Sequence, residues 1–236
     1  MNQLNQVTLF LSDPLFSISL TLFVYAGAVR LYKKLNLVVL QPVLVSTIFL
    51  IIFLGVMDIE YHTYMEGGKF IHFFLGPTVV ALGVPLYLRI KELQREAPAM
   101  AVSIFFGSLV GIISVTVPLI LLGVPEEIIR SLAPKSVTTP IAMGIAETGG
   151  GVPSLTAAVV VITGIFGGVV GPSLLKVCGV AGGIPFGLAM GSAAHGLGTA
   201  RSLEKGELEG ASSGLAICLN GIMTAALTPL LLYVLL

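Results

Sequence analysis

The stretch that decides the fold is PKSVTTPIAMGIAETGGGVPSLTA, residues 134–157. It places a lysine, a glutamate, several hydroxyl side chains and three consecutive glycines between long apolar segments. Such a stretch is either a loop in water or polar backbone held at membrane depth. In the second case the backbone must be buried in protein or line a water-filled cavity. Choosing between these two structures determines which functions fit the chain.

The composition of the 236 residues indicates an integral membrane protein. Apolar residues make up 56% and charged residues only 10%, whereas roughly 25% of the residues in soluble domains are charged. The mean hydropathy is +1.02. A formal net charge of zero gives no indication of a nucleic-acid partner. We therefore expect an all-α integral membrane protein, a polytopic helical bundle in the lipid bilayer without a separate soluble domain.

Six segments reach the length of about 20 largely apolar residues that a membrane-spanning helix needs. They are residues 14–31, 35–56, 70–88, 97–124, 153–175 and 210–236. Two shorter segments, 136–148 and 183–199, lie between them. The sequence thus predicts six full spans plus two short or broken helices in a single transmembrane domain, 1–236. Its first half, 1–131, is scaffold-like, and its second half, 132–236, carries the polar motifs.

A faint internal repeat relates residues 75–111 to residues 132–168. At an offset of 57 residues Pro77 aligns with Pro134, and two glycines of each copy also align. Chance similarity between glycine-rich apolar helices is the alternative explanation. Interrupted segments at corresponding positions of two halves are typical of transporter sites built from broken helices. Because the interrupted segment is polar in the second copy, we expect the functional site there.

Residues 136–148 are predicted to form a half-helix that begins after Pro134 and ends at glycines 149–151. A second helix begins at Pro153, where the missing N–H of proline is harmless. Hydroxyls fall in the first turn of both helices, and helix N-termini attract anions through free N–H groups and the helix dipole. The pattern predicts capture of a small anion such as a carboxylate. A surface loop with ordinary helix caps is the alternative.

Two titratable residues of the second half are predicted to carry protons. Glu147 follows an apolar run, and acids inside a membrane usually mark ion or proton pathways; an interfacial glutamate in water is the alternative. His195 lies among small residues and titrates near neutral pH; a hydrogen-bonded packing histidine is the alternative. Polar side chains often join helices within membranes, and the last span carries four: Ser212, Ser213, Asn220 and Thr224.

The sequence lacks two motifs of common enzymes, the P-loop and HExxH. Ser154 and His195 lack a third catalytic member and an oxyanion hole, which disfavours an intramembrane hydrolase. Cys178 and Cys218 lie far apart in apolar surroundings and are interpreted as small buried hydrophobes, not as a disulfide or metal site. We expect a protein that is not an enzyme and that holds no cofactor or metal.

Four motifs resemble the LrgB/CidB family of bacterial membrane proteins. They are PKSVTTPIA (134–142), GGVPSLTA (150–157), AAHGLGTA (193–200) and GELEGASSGLA with LNG (206–216 and 219–221). The resemblance implies a multi-pass protein of the cell inner (plasma) membrane, often encoded beside a smaller holin-like partner, LrgA or CidA. Family members are described as antiholin- or holin-like modulators of murein hydrolase activity and cell lysis. Relatives are linked to transport of pyruvate in bacteria and of glycolate and glycerate in plant plastids.

We therefore expect a proton-coupled membrane transporter of small monocarboxylates that forms a homo-oligomer. The alternative is a holin- or antiholin-like pore or regulator. Hinges, helix starts and titratable groups concentrated in one half favour alternating access over a simple pore. The predicted proton-coupling residues are Glu147 and His195. The predicted substrate-binding residues are Lys135, Ser136, Thr138, Thr139, Gly150, Gly151, Ser154, Thr156, Thr199 and Arg201.

Overall fold

The computed structural model describes residues 13–35, 40–74, 77, 80, 81 and 83–236. Every regular element within these ranges is a helix, which confirms the predicted all-α class. The chain divides into two compact units, Met1–Ala81 and Leu82–Leu236. All of the predicted site residues lie in the second unit.

The first unit contains α1 (Pro14–Leu35), α2 (Pro42–Val56) and α3 (Tyr61–Phe73). Helix α1 packs against both α2 and α3. Gly67 lets α3 approach α1 closely, because a side chain at this position would overlap the carbonyl of Pro14. The hydroxyls of Thr21 and Tyr64 are hydrogen-bonded at 2.7 Å between the same helices. Close backbone approach and a hydroxyl pair thus join α1 to α3.

The second unit contains seven helices within the described residues. They are α4 (Gly83–Leu88), α5 (Ile90–Leu121), α6 (Glu126–Leu132), α7 (Thr139–Gly149), α8 (Pro153–Val177), α9 (Gly183–Lys205) and α10 (Glu207–Leu235). Helix α10 is central, since it packs against α4, α5, α7 and α9. Its contact with α9 is tight because Gly187 and Gly191 face Ser212 and Ser213, where any larger side chain would collide.

Four of the described helices are long and apolar enough to cross a membrane, namely α1, α5, α8 and α10. The prediction of six full spans is therefore not confirmed. In the described part of segment 35–56, the helix that follows the end of α1 is the 15-residue α2, which begins at Pro42. Segment 70–88 is divided between the end of α3 and the short α4.

Helices α5 and α10 run in the same direction. Leu93, near the start of α5, lies in one apolar cluster with Ala211, near the start of α10. Ser108 contacts Asn220 about halfway along both helices. Helix α8 runs the opposite way, from the side of α6 towards the start of α9. We call the end of the bundle where α5 and α10 begin the first end, and the opposite one the second end.

Charged side chains lie at both ends of this bundle. At the first end Arg89 donates to Glu92 at 2.9 Å and to Glu207 at 3.2 Å. These carboxylates, Glu92 foremost, raise the pKa of the Arg89 guanidinium. At the second end Arg130 donates to Glu126 at 3.1 Å. This distribution fits ends that lie in water and spanning helices that lie in lipid.

Helix α9 reverses its direction at His195. The backbone there has φ 39° and ψ −122°, a conformation that residues other than glycine rarely adopt. The Lys205 ammonium lies 4.3 Å from the centre of the Phe186 ring, whereas a straight helix would separate these residues by about 28 Å. Both ends of α9 therefore lie at the first end of the bundle. We call residues 183–205 the second hairpin and residues 192–196 its tip.

Helices α6 and α7 form the first hairpin, residues 126–149, with its tip at residues 133–138. Arg130 donates to the Gly149 carbonyl at 3.1 Å, and the Val152 N–H donates to the Ser131 hydroxyl at 2.7 Å. These bonds hold the incoming and returning arms side by side. Because α6 follows the end of α5, this hairpin enters from the second end, opposite to the second hairpin.

The arms of both hairpins are too short to cross a membrane. An arm of twelve helical residues, such as 183–194, extends about 18 Å, against a hydrocarbon core of about 30 Å. The tips therefore reach the middle of the bundle and stop there. The predicted short or broken helices at 136–148 and 183–199 thus correspond to the returning arm of one hairpin and the turning point of the other.

The unit of one hairpin followed by one spanning helix occurs twice, in opposite orientations. The first hairpin precedes α8, and the second precedes α10, at the same offset of 57 residues that relates 75–111 to 132–168. Gly149 and Gly206 end the two returning arms, and Pro172 and Pro229 occupy equivalent places in the two spanning helices. The start of the predicted repeat at 75–111 falls partly outside the described residues.

The expectation that Cys178 and Cys218 are buried is wrong, because both are free thiols on the exposed surface. Cys178 caps the end of α8, and Cys218 lies on an outer face of α10. Side chains on the outer face of a membrane-spanning helix meet acyl chains, which are as apolar as a protein interior. The apolar neighbours of these cysteines therefore did not distinguish burial in protein from exposure to lipid.

We predict that Gly198→Ala destabilises the second unit, because the added methyl would overlap the carbonyl oxygen of Met190 on the opposite arm of the second hairpin. Overpacking of this kind costs about 1–3 kcal/mol. Thermal unfolding of the purified protein in detergent measures the change. Gly214→Ala in α10 is the control, since nothing lies within 4 Å of that position. Equal melting temperatures for both variants would contradict the reversal at His195.

Candidate functional site

The side chain of Asn220 connects both hairpin tips in the middle of the second unit. Its amide nitrogen donates to the carbonyl of Ser136 at 2.8 Å and to the carbonyl of Ser192 at 3.0 Å. Its amide oxygen lies 2.6 Å from the Ser108 hydroxyl of α5. The partners fix which atom is nitrogen, because a carbonyl can only accept. Asn220 is 1% exposed, and we call these four residues the Asn220 junction.

The first tip brings a cation next to this junction. The Lys135 ammonium is half-buried and donates to the Ser136 hydroxyl at 3.2 Å. Among the residues that the structure describes, no carboxylate forms an ion pair with it. Helix α7 begins directly afterwards, with Thr138 at the N-cap position. The Thr138 side chain makes no capping bond, so its hydroxyl is not used for the predicted cap.

The second tip places a buried histidine against α8. Nε2 of His195 lies 3.1 Å from the carbonyl of Val160, and Gly164 leaves room for the ring, since a methyl there would lie 2.5 Å from Cε1. The side chain of Val160 belongs to the same apolar cluster as Val137 of the first tip. Both tips therefore lie against one position of α8 and one residue of α10, close to each other.

Two helix N-termini thus lie in the middle of the bundle, that of α7 at Thr139 and that of the returning arm of the second hairpin at Gly196. Each contributes free N–H groups and the positive end of a helix dipole. Lys135 adds a full charge, and the half-buried hydroxyls of Ser136, Thr138 and Thr139 add donors. Chemically, this arrangement is suited to holding a small anion.

A cavity lies beside each hairpin. The larger, about 620 Å³, lies between α5, α9 and α10 and reaches from Glu96 at the first end to Ser192 of the junction. The other, about 450 Å³, lies between α6, α7 and α10 and is lined by Arg130, Thr148 and Tyr233 near the second end. The two cavities thus extend towards the tips from opposite ends of the bundle.

The second predicted group of anion-binding residues lies elsewhere. Gly150 adopts φ 78° and ends α7, and the Gly151 N–H bonds the carbonyl of Ala146 at 2.7 Å. The predicted non-helical break at glycines 149–151 is therefore present, although its depth in a membrane stays a prediction. Thr156 donates to the Ser131 carbonyl at 2.9 Å, and Ser154 is exposed. The length of α7, about 16 Å, separates Gly150 from the helix start at Thr139.

Three further predicted residues lie outside the tips. Thr199 is bonded to Ser213 at 2.8 Å, which ties the second hairpin to α10. Arg201 donates to the Gly168 carbonyl at 3.3 Å and to Glu204 at 2.7 Å, which ties the same arm to α8. Glu147 is exposed on α7. The structure thus brings together Lys135, Ser136, Thr138, Thr139 and His195, and it places the remaining predicted residues around the hairpins.

Ser108 and Ser192 were not predicted to contribute to the site. Both are serines of largely apolar helices, where a hydroxyl commonly bonds a carbonyl of its own helix. Their role depends on Asn220, which the sequence indicated only as a residue joining helices. The fold brings the three residues together across 112 positions of the chain, between Ser108 and Asn220. Only the general signal of polar side chains at membrane depth pointed to them.

These features define a polytopic helical membrane protein with two hairpins that end at a buried polar centre. A sequence model of the LrgB-like family matches residues 21–234, and the chain belongs to this family. The resemblance of the four sequence motifs is thereby confirmed. The match includes the whole of the second unit up to the last turn of α10.

Curated relatives match nearly the entire chain. It is 37% identical to uncharacterized protein YxaC and 35% identical to uncharacterized protein YwbG, both of Bacillus subtilis (strain 168), over 92% of this chain and 94% and 96% of the relatives. It is 32% identical to antiholin-like protein LrgB of Bacillus cereus (strain B4264), over 92% of this chain and 95% of the relative. No solved structure matches the chain.

We predict that Ser131→Ala loosens the base of the first hairpin. The Ser131 hydroxyl is buried and accepts the N–H of Val152, and a buried donor left without a partner costs about 1–3 kcal/mol. Thermal unfolding in detergent and amide hydrogen exchange of residues 149–152 measure the loss. Ser154→Ala removes an exposed hydroxyl from the same region and should change stability by less than about 0.5 kcal/mol. Equal effects of the two changes would refute the role of Ser131.

Proposed function

We propose that this protein transports small monocarboxylates of the pyruvate, glycolate and glycerate kind across the cell's inner membrane. The observation that carries the proposal is the meeting of two helix N-termini and the unpaired Lys135 in the middle of the bundle. Two hairpins of inverted orientation surround this point, each with a cavity beside it. Sites at the midplane between inverted repeats, formed by discontinuous helices, are typical of secondary transporters.

The charge at the tips favours a monoanion over a dianion. A carboxylate at membrane depth needs a compensating charge and hydrogen bonds, because an isolated ion in a medium of low dielectric is very costly. Lys135 supplies one full charge, and helix N-termini supply partial charges. The second carboxylate of a dianion would remain without a cation at the tips. The side chains around this point are small and carry hydroxyls, and they likewise favour short substrates.

Of the two proposed proton carriers, we favour His195 over Glu147. His195 is 8% exposed and lies at the second tip, whereas Glu147 lies on the exposed surface of α7. A histidine beside the anion site can bind and release a proton, so that its protonation can accompany substrate binding. Glu147 remains the second proposed carrier, because acids on the helices of membrane proteins often belong to proton pathways.

The second candidate function is that of an antiholin- or holin-like protein that modulates murein hydrolase activity and cell lysis. The name of the Bacillus cereus relatives, antiholin-like protein LrgB, favours this function. In that case a smaller LrgA/CidA-like membrane protein is the proposed partner, and a homo-oligomer is the proposed form. The two functions are distinguished by what the purified protein lets through a membrane.

Purified protein in proteoliposomes should take up labelled pyruvate, glycolate and lactate. Lys135→Gln removes the charge at the first tip and should raise KM roughly 10- to 150-fold, since hydrogen bonds to charged groups contribute about 1.5–3 kcal/mol. Lys176→Gln is the matched control, because Lys176 is exposed near the end of α8 and its loss should leave KM unchanged.

Three results would count against monocarboxylate transport at the tips. One is the absence of saturable uptake by the wild-type protein. Another is an equal KM for both lysine variants. A third is release of a trapped fluorescent dye much larger than the substrates, which would favour a holin-like pore. Cell lysis measured in a strain producing the protein, with and without a smaller partner, would then test the antiholin-like function.

His195→Gln should abolish accumulation driven by a pH gradient while exchange of substrate for substrate continues, because exchange needs no net proton movement. Glutamine retains a donor for the Val160 carbonyl but does not titrate, so the fold should persist. Glu147→Gln tests the second carrier in the same assay. Normal gradient-driven accumulation in both single variants and in the double variant would exclude proton coupling through these residues.

A further inference from the structure

The two carbonyls that Asn220 binds have lost their usual helical partners. In a continuous helix the Ser192 carbonyl would accept the N–H of Gly196, but the chain turns at His195 between them. Ser136 lies in the turn between α6 and α7, outside any helix. Each carbonyl would be left unsatisfied at membrane depth, where water is scarce. The Asn220 amide supplies one donor hydrogen to each of them.

This arrangement fixes the two tips relative to each other. Lys135 precedes Ser136 directly, so the bond to the Ser136 carbonyl limits where the ammonium can lie. Ser192 lies three residues before His195, so the second bond limits the position of the second tip. The Ser108 hydroxyl orients the amide by facing its oxygen at 2.6 Å. A single buried side chain thus determines the spacing between the cation and the histidine.

We propose that Asn220 is a positioning residue, which holds the first and second tips at the spacing that the carboxylate needs. It acts through Lys135 and the helix N-termini and does not itself bind the substrate. The inference rests on the proposed transport function for its kinetic consequence. Its structural consequence, the ordering of both tips at once, can be measured without any substrate.

Asn220→Ala should raise the KM for pyruvate uptake and leave the maximal rate much less changed. Without the two bonds the binding-competent arrangement of the tips becomes a minor population, and apparent affinity falls in proportion to that population. The loss of two neutral hydrogen bonds corresponds to roughly 5- to 150-fold. Saturating substrate restores the competent arrangement, which is why the maximal rate should largely recover.

Asn220→Asp tests the donor function with almost the same shape. As an anion the new side chain can only accept, so it repels both carbonyls; once protonated it donates one hydrogen bond. The ratio of its KM to that of the wild-type protein should therefore fall as the pH is lowered. Exchange of pyruvate for pyruvate, measured for both proteins at each pH, removes the effect of pH on the substrate and on proton coupling.

Thr116→Val is the matched control. Thr116 is 0% exposed on α5, and its hydroxyl bonds only the Ile112 carbonyl of its own helix among the described residues. The change also removes a buried polar group, but it leaves both tips untouched. Any of three results would overturn the proposal. The KM of Asn220→Ala could equal that of the wild-type protein, or Thr116→Val could raise KM as much as Asn220→Ala does. The ratio of the KM of Asn220→Asp to the wild-type KM could also stay constant as the pH changes.

Amide hydrogen exchange of purified protein without substrate separates this inference from the proposed function. In Asn220→Ala, exchange should be faster in both segments, 133–142 and 190–199, and it should be unchanged at both in Thr116→Val. If the wild-type protein shows no uptake, the proposal of monocarboxylate transport is refuted, and amide hydrogen exchange alone tests the positioning role of Asn220. Faster exchange at both tips supports the role, and exchange that is unchanged or faster at one tip alone overturns it.

Discussion

Helices that stop in the middle of a membrane leave backbone groups that hydrocarbon cannot solvate, and the second unit depends on how these groups are satisfied. Both hairpins end in this way, and both expose carbonyls at their tips. The Asn220 amide donates a hydrogen bond to one carbonyl of each tip. Such bonds are the condition on which non-helical backbone is tolerated at this depth.

The same incomplete helices that create this cost also create the candidate site. A helix that starts in the middle of the bundle presents N–H groups to that point, and the two returning arms start there together. The glycines of α8, α9 and α10 allow the hairpins to pack closely enough for this to occur, as shown by Gly164 beside His195 and by Gly198 beside Met190. Close packing and anion affinity are therefore two consequences of one architecture.

Sequence reasoning identified the broken segments of the second unit because glycine, proline and hydroxyl residues act locally. The break within glycines 149–151 follows from such local rules, whereas the helix predicted to begin at residue 136 begins only at Thr139. The reversal at His195 has no local signal of comparable strength, since a positive φ is uncommon for any residue other than glycine. The helix start at Thr139 lies beside the one at Gly196 and not beside the one at Pro153. This pairing depends on contacts between the two hairpins. Hydropathy also cannot tell whether a segment such as 70–88 stays one helix.

The two ends of the second unit differ in basic charge, which bears on how the protein sits in its membrane. The first end and the loops joined to it carry Arg89, Lys91, Arg95, Lys176 and Lys205, whereas the second end carries Arg130 beside two glutamates. Basic residues in short loops are retained on the cytoplasmic side during insertion. The first end is thus predicted to face the cytoplasm. The second hairpin would then reach the centre from inside the cell and the first hairpin from outside. Each side of the membrane would therefore have its own route of access to the same polar centre.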